Sequence, residues 1–316
     1  MHCPYVGSGP YCYANSFAMM FGAAAPSTAV IEFATGSPFG MQVLPGGLPF
    51  FDPYGWTPEA GFETALDLLG WSSRRESGGS AGESLARLEA ALRKGPVWVG
   101  PVEMGYLSHQ PGMTGPIGAD HYVVVLAVAE GRVLMHDPQG YPYASLALAD
   151  FMAAWRAETI DYGEPYTMRT QFVREQAVDE VVAIRAAIPH GRRWLSMEEA
   201  SNAPPASLGN GEAALALAER LERGLDEDLR GHLIHFAVRV GTRRAADGAT
   251  CLTRARHDDA ADIMDAQARL IGGLQQPLVA GDGRAAARIL RTLAATYEQL
   301  LAALKQSAIS PKRTLL

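Results

Sequence analysis

The stretch Asp120-His121-Tyr122-Val123-Val124-Val125-Leu126-Ala127-Val128, then Glu130-Gly131, then Arg132-Val133-Leu134-Met135-His136-Asp137-Pro138, reads as strand, tight turn and strand. The first segment is nearly continuous in apolar residues, as expected of a strand covered on both faces. Glu130-Gly131 supplies the hairpin turn. His121 and Asp137 lie 16 residues apart on paired strands, so the hairpin can bring their side chains together. Alternation sends His136 and Asp137 to opposite faces, so at most one of them meets His121. A slip of one residue would turn a side chain away.

Upstream, Gly9-Pro10-Tyr11-Cys12-Tyr13-Ala14-Asn15-Ser16-Phe17-Ala18-Met19-Met20-Phe21-Gly22 places a thiol where a Gly/Pro loop breaks into an apolar helix. Amides at a helix start have no intrahelical acceptor and carry partial positive charge, which favours a thiolate. Taken alone, Cys12 would read as a small buried residue, His121 as a strand-end histidine and Asp137 as a turn former. Together they supply the nucleophile, the proton-shuttling base and the orienting carboxylate that thiol acyl chemistry needs. The expectation is therefore an enzyme.

Around this centre the chain organises into an α+β part and a helical part. Thr57-Pro58-Glu59 opens a helix that Gly70 ends, and 80–95 reads as a second helix. Strands are expected over 96–103 and 166–172, and helices over 149–157 and 177–188. The Gly/Pro/aromatic segment 36–56 is too apolar for a linker and should fold over core or substrate. Breakers at 189–193, Pro189-His190-Gly191-Arg192-Arg193, and at 202–211 suggest domains of 1–190 and 191–316. Beyond them, Ala/Leu/Arg-rich helices are expected at 212–224, 227–243, 247–273 and 282–307, without strands.

Composition narrows the function classes. With 316 residues, 48% hydrophobic and 19% charged, the chain can bury a sizeable core. A net charge of -7 without a dominant basic patch argues against nucleic acid. Three cysteines, Cys3, Cys12 and Cys251, form no disulfide framework, so a reducing cytoplasm is expected. The first Arg or Lys is Arg74, which speaks against a signal peptide, and 17–34 is too interrupted to span a membrane.

Weaker candidates complete the reading. Tyr5, Tyr11, Tyr13 and Asn15 surround the thiol in sequence and could donate to an oxyanion, or simply pack. Glu103, ending the 96–103 strand, could hold a substrate amine or simply be solvated, and Gln139 follows Asp137 in the same turn region. Arg243-Arg244 could grip a phosphate or a carrier helix, or be an exposed face. Met19-Met20 reads as core. Cys3 with His2 fits no common metal spacing, and Gly7-Ser8-Gly9-Pro10 lacks the strand and Gly-Lys-Ser/Thr of a phosphate loop. Neither a metal nor another cofactor is expected.

The 10–22, 94–104 and 119–156 blocks resemble the butirosin-biosynthesis protein H-like family, and more distantly the papain-like peptidase domains that remove bacteriocin leader peptides. The resemblance implies a papain-like domain with an N-terminal Cys helix and antiparallel sheet, followed by a helical domain. It further implies transfer of an acyl group from an acyl carrier protein or coenzyme A thioester to an amine or hydroxyl of a small metabolite, as in antibiotic biosynthesis. Cys12 would be nucleophile, His121 base and then acid, and Asp137 orienter. Papain-like enzymes place a Gln about six residues before the Cys as an oxyanion donor; here Val6 stands there. Losing such a donor costs roughly 10²–10³ in rate, a loss that a reactive thioester tolerates better than an amide. A cysteine peptidase or amidase remains the alternative enzyme, and a catalytically silent binding module the alternative class. Amphipathic helices in the second domain would allow a homodimer.

Overall fold

The computed structural model describes residues 6–7, 9–198 and 203–307; Cys3 and Tyr5 lie outside them. The strands in chain order are β1 (Gln42–Val43), β2 (Pro49–Phe50), β3 (Trp71–Glu76), β4 (Val97–Glu103), β5 (Asp120–Ala129), β6 (Arg132–Asp137), β7 (Tyr141–Ala147), β8 (Met168–Arg174) and β9 (Leu208–Gly209). The α-helices through the middle of the chain are α1 (Cys12–Phe21), α2 (Thr28–Ala34), α3 (Pro58–Leu68), α4 (Ala81–Leu92), α5 (Leu148–Trp155) and α6 (Glu180–Leu195). The C-terminal helices are α7 (Asn210–Arg223), α8 (Glu227–His232), α9 (Val238–Arg254), α10 (Asp258–Gly273), α11 (Gln275–Val279) and α12 (Gly283–Ser307). The protein is thus mixed α+β, with antiparallel sheets and a helical C-terminal region.

Two compact units divide the chain, 1–31 with 70–177 and 32–69 with 178–316. This differs from the expected split into 1–190 and 191–316, because 32–69 and α6 pack with the C-terminal helices.

The first unit is built on an antiparallel sheet of order β3-β8-β4-β5-β6-β7. Successive residues of its central strands serve opposite layers. Phe17 of α1 stacks on Trp98 at 4.9 Å, and Trp98 stacks on Tyr122 at 4.9 Å. Val97, Val99, Val123, Val125, Val133 and Met135 face the other way and share a core with Leu88, Phe151 and Trp155 of α4 and α5. Covering on both faces is why His121 through Val125 are all buried and why β5 carries no polar alternation. Ser16 Oγ donates to Tyr122 O at 3.1 Å, tying α1 to β5.

A bulge in β4 between Val99 and Val102 sets Val102 opposite His121. Gly100 occupies the bulge at φ 155, where a Cβ would lie 2.3 Å from the Tyr122 ring and 2.9 Å from His121 O. Only glycine lets the two strands approach this closely beside His121.

The second unit is a helical assembly in which 36–56 is core: Phe39, Met41, Phe51 and Trp56 are buried. β1 pairs with β2 and with β9, so a short strand does lie beyond residue 190. α6 runs through Pro189 to Leu195, where a break was expected. Proline costs the helix one hydrogen bond, but its apolar face continues through Ala187, Ile188, Gly191 and Leu195. Gly191 there leaves room for the Phe39 ring, which would lie 2.4 Å from an added Cβ. The helix expected to end at 243 instead runs on through a π-helical turn at Leu233–Ala237 and α9 to Arg254. Arg256, at φ 66, then turns the chain before α10.

Arg244 is neither a phosphate grip nor an exposed face. It is buried, its Nε donating to Glu32 Oε1 at 2.8 Å and its Nη1 to Asp52 Oδ2 at 3.1 Å and Phe51 O at 3.2 Å. Ser37 Oγ also donates to Glu32 Oε1, and Gln42 Nε2 donates to Asp52 Oδ1. Arg243 pairs with Asp247 at 3.4 Å. Among the described residues, no single helix is long and apolar enough to cross a membrane.

Candidate active site

Cys12 is the first residue of α1, entered from Tyr11 in a left-handed conformation at φ 91. The first helical hydrogen bond is Asn15 N to Tyr11 O at 2.8 Å, so the amides of Cys12, Tyr13 and Ala14 precede the intrahelical ladder. The thiol is free of any disulfide and partly exposed, whereas Cys251 is buried and burial pushes its thiol up to about 12. Of the two described cysteines, Cys12 is the one placed to react.

His121 is buried at 2% exposure on β5. Its Nε2 lies 2.8 Å from Asp137 Oδ1, and its ring also hydrogen-bonds the Cys12 side chain. With Nε2 committed to the carboxylate, Nδ1 is the nitrogen left for the thiol. The strand register explains the pairing. Val124 faces His136 across β5 and β6, so continuing by one residue sets Asp137 against Val123. His121 is then a diagonal neighbour on the same face, within reach of a long side chain. His136 points away, its Nδ1 accepting from Tyr143 N at 3.1 Å. The expected alternation holds.

Asp137 is wholly buried and its carboxylate is saturated. Oδ1 also accepts from Gln139 N at 2.8 Å, while Oδ2 meets His109 Nε2 at 2.8 Å and Gln110 Nε2 at 2.6 Å. Burial would raise this carboxyl, but His121, His109 and the Gln139 amide together hold it far below the usual range. Burial would likewise lower His121, but Asp137 and then Cys12 hold it up to about 10. The histidine thus stays protonated opposite an ionised aspartate near neutral pH.

His109 and Gln110 were not legible in the sequence. They sit in a Gly/Pro-rich loop between β4 and β5 that has no periodicity, and only tertiary folding brings them to Asp137. The remaining candidates divide. Tyr11 and Tyr13 are buried, Tyr13 standing edge-on to Tyr122 at 5.9 Å. Asn15 is buried one turn beyond Cys12, and its Nδ2 has no partner among the described residues. Glu103 is buried rather than solvated. Its carboxylate accepts from Gly105 N, Ile117 N and Gly118 N at 3.0 Å each, and from Thr159 Oγ1. Burial would raise it, but these donors hold it below the ordinary carboxylate range, and it pins the loop that carries His109. Gln139 is exposed and engages Asp137 through its backbone.

A pH prediction follows from the His121–Asp137 pair. Unfolded histidine titrates near 6.5, so between there and about 10 the folded chain keeps a proton that the unfolded chain releases. Stability from this pair is fully present below about pH 6.5 and is lost as pH rises towards 10. On the acid side Asp137 contributes above its unfolded value of about 3.9, and that contribution is lost as pH falls below it. Urea midpoints measured from pH 6 to 10 should therefore fall in the parent and fall less in His121→Gln. Equal slopes would show that the pair is not coupled in this way.

Residues 204–305 match a family model described as the YobF C-terminal domain. Over 273 residues the chain is 26% identical to "Uncharacterized protein YobF" of Bacillus subtilis (strain 168), covering 85% of this chain and 87% of that one. At that coverage the similarity extends beyond residues 204–305 into the N-terminal part of the chain.

Proposed function

We propose that this protein is a cysteine-dependent acyltransferase with a papain-like catalytic unit. It would move an acyl group from a carrier-protein or coenzyme A thioester, through an acyl-Cys12 intermediate, to an amine or hydroxyl of a small metabolite. The observation that carries this reading is the chain of contacts from the Cys12 thiol to His121 and from His121 to a saturated, buried Asp137.

In the first half-reaction the Cys12 thiolate adds to the thioester carbonyl. The carbon–sulfur bond of the donor breaks, and the departing thiolate takes the proton from His121 Nδ1. In the second, the acceptor nucleophile adds to the acyl-Cys12 carbonyl and gives its proton to His121, and the Cys12 thiolate leaves. Negative charge on the carbonyl oxygen is met by the Cys12 amide at the helix start. Asn15 is the natural second donor, because helical side chains lean back towards the preceding turn and its Nδ2 is unspent. A free thiol in this role suits a reducing compartment such as the cytosol.

Intact-mass analysis after incubation with a panel of acyl thioesters tests the proposal. The expected result is one acyl adduct that maps to Cys12, is absent in Cys12→Ala, and is discharged by an amine to a new amide. Discharge by water alone would identify a hydrolase instead, and no adduct with any thioester would sink the acyltransferase reading.

A further inference from the structure

The first unit carries a second recess that contains none of Cys12, His121 or Asp137. It encloses about 680 Å³ and is lined by Arg74, Arg87, Arg93 and Lys94, with a single carboxylate, Glu76. Its apolar wall includes Met19, Met20 and Phe172. Met19 and Met20 lie near the end of α1 opposite to Cys12, on the order of 12 Å away at 1.5 Å per helical residue.

The charges in this recess do not cancel. Arg74 pairs with Glu76 at 3.2 Å. Arg87 Nη2 donates only to neutral acceptors, Gly78 O and Tyr166 O at 3.1 Å and Ser84 Oγ at 3.5 Å. Its Nε is buried with no partner among the described residues. Arg93 reaches the carbonyl of Glu89 at 3.4 Å, and no described residue partners the Lys94 ammonium. Arg93 and Lys94 follow the C-terminus of α4 and so complement its dipole. A helix end supplies only about half a negative charge, however. Glu83 interacts electrostatically with Arg87, so with α1 also ending nearby roughly one positive charge stays uncompensated, in a chain whose net charge is -7.

We propose that this recess binds a phosphorylated small molecule of nucleotide size. Arginine forks and a lysine ammonium match phosphate oxygens. The methionines and Phe172 offer a soft apolar wall for a planar or aliphatic portion of the same ligand. The volume falls within the range of small-molecule sites.

Calorimetric titration of the full chain with ADP at constant ionic strength tests this. Saturable one-to-one binding is expected, weakened about tenfold or more in the double variant Arg93→Gln, Lys94→Gln. Both side chains are exposed, so the fold should survive their replacement. Arg87→Gln should weaken binding at least as much. Pyrophosphate should bind less tightly than ADP, and equal affinity would overturn the role given to the apolar wall. No saturable binding, or equal binding by the double variant, would overturn the site itself. Cys12→Ala leaves this titration unchanged, so the two proposals stand or fall separately.

Discussion

Asp137→Ala is expected to lower the rate of Cys12 acylation by roughly 10⁴-fold, the scale on which removing an orienting carboxylate acts in catalytic triads. The reason is specific to this site. Four donors converge on the carboxylate, from His121, His109, Gln110 and the Gln139 amide, and alanine strands all of them, those of His121 and Gln110 in buried positions. Each unsatisfied buried donor costs about 1–3 kcal/mol, so the variant will also lose stability. Asp137→Asn separates the two effects. Its oxygen can keep facing His121 and the Gln139 amide, while Gln110 turns its amide to accept. Geometry then survives but charge does not. Without the carboxylate, burial pushes His121 down and the imidazolium is lost near neutral pH. Alkylation of Cys12 by iodoacetamide, followed from pH 5 to 10, reads this directly. In the parent, Cys12 should react far faster than Cys251 across neutral pH. In Asp137→Asn the advantage should shrink and its pH profile should shift. Unchanged alkylation in both variants would remove Asp137 from the mechanism.

Arg244→Ala should destabilise the second unit by about 3–5 kcal/mol, because removing one partner leaves buried charges without a counterion. Glu32 and Asp52 would keep the neutral donors Ser37 and Gln42 but lose the guanidinium, which also lies 5.4 Å from the Trp56 ring centre. Arg244→Lys keeps the charge but cannot present two donors to two carboxylates at once, so it should fall between. The measurement is the urea midpoint at constant slope. A midpoint within error of the parent for Arg244→Ala would mean that the cluster contributes nothing net.

The sheet shows where local reading succeeds and where it stops. β4 and β5 were legible because burial on both faces forces a dense apolar run, and β6 because Glu130-Gly131 turns the chain back from β5. β3 and β7 were not, and they are the two edges of the same sheet. Edge strands are solvated and polar, as Trp71-Ser72-Ser73-Arg74-Arg75-Glu76 is, so their pairing leaves no periodic trace. The same limit applied to 36–56. Its apolar aromatics announced that it covers something, but not that it belongs to the helical unit's core.

By itself the sequence determined the kinds of group at the site and their local settings. It specified a thiol opening a helix, a histidine on a buried strand, and an aspartate across a hairpin whose alternation turns His136 away. These are consequences of spacing along one chain, which backbone geometry converts into direction. Only the tertiary structure decided that Asp137 is shared by His109 and Gln110, that Glu103 is a loop anchor, that Arg244 is a buried counterion, and that four cations share one recess. Each of these joins residues far apart in the chain. Their meeting depends on how layers pack, and packing free energy is a property of the whole unit that no local pattern encodes.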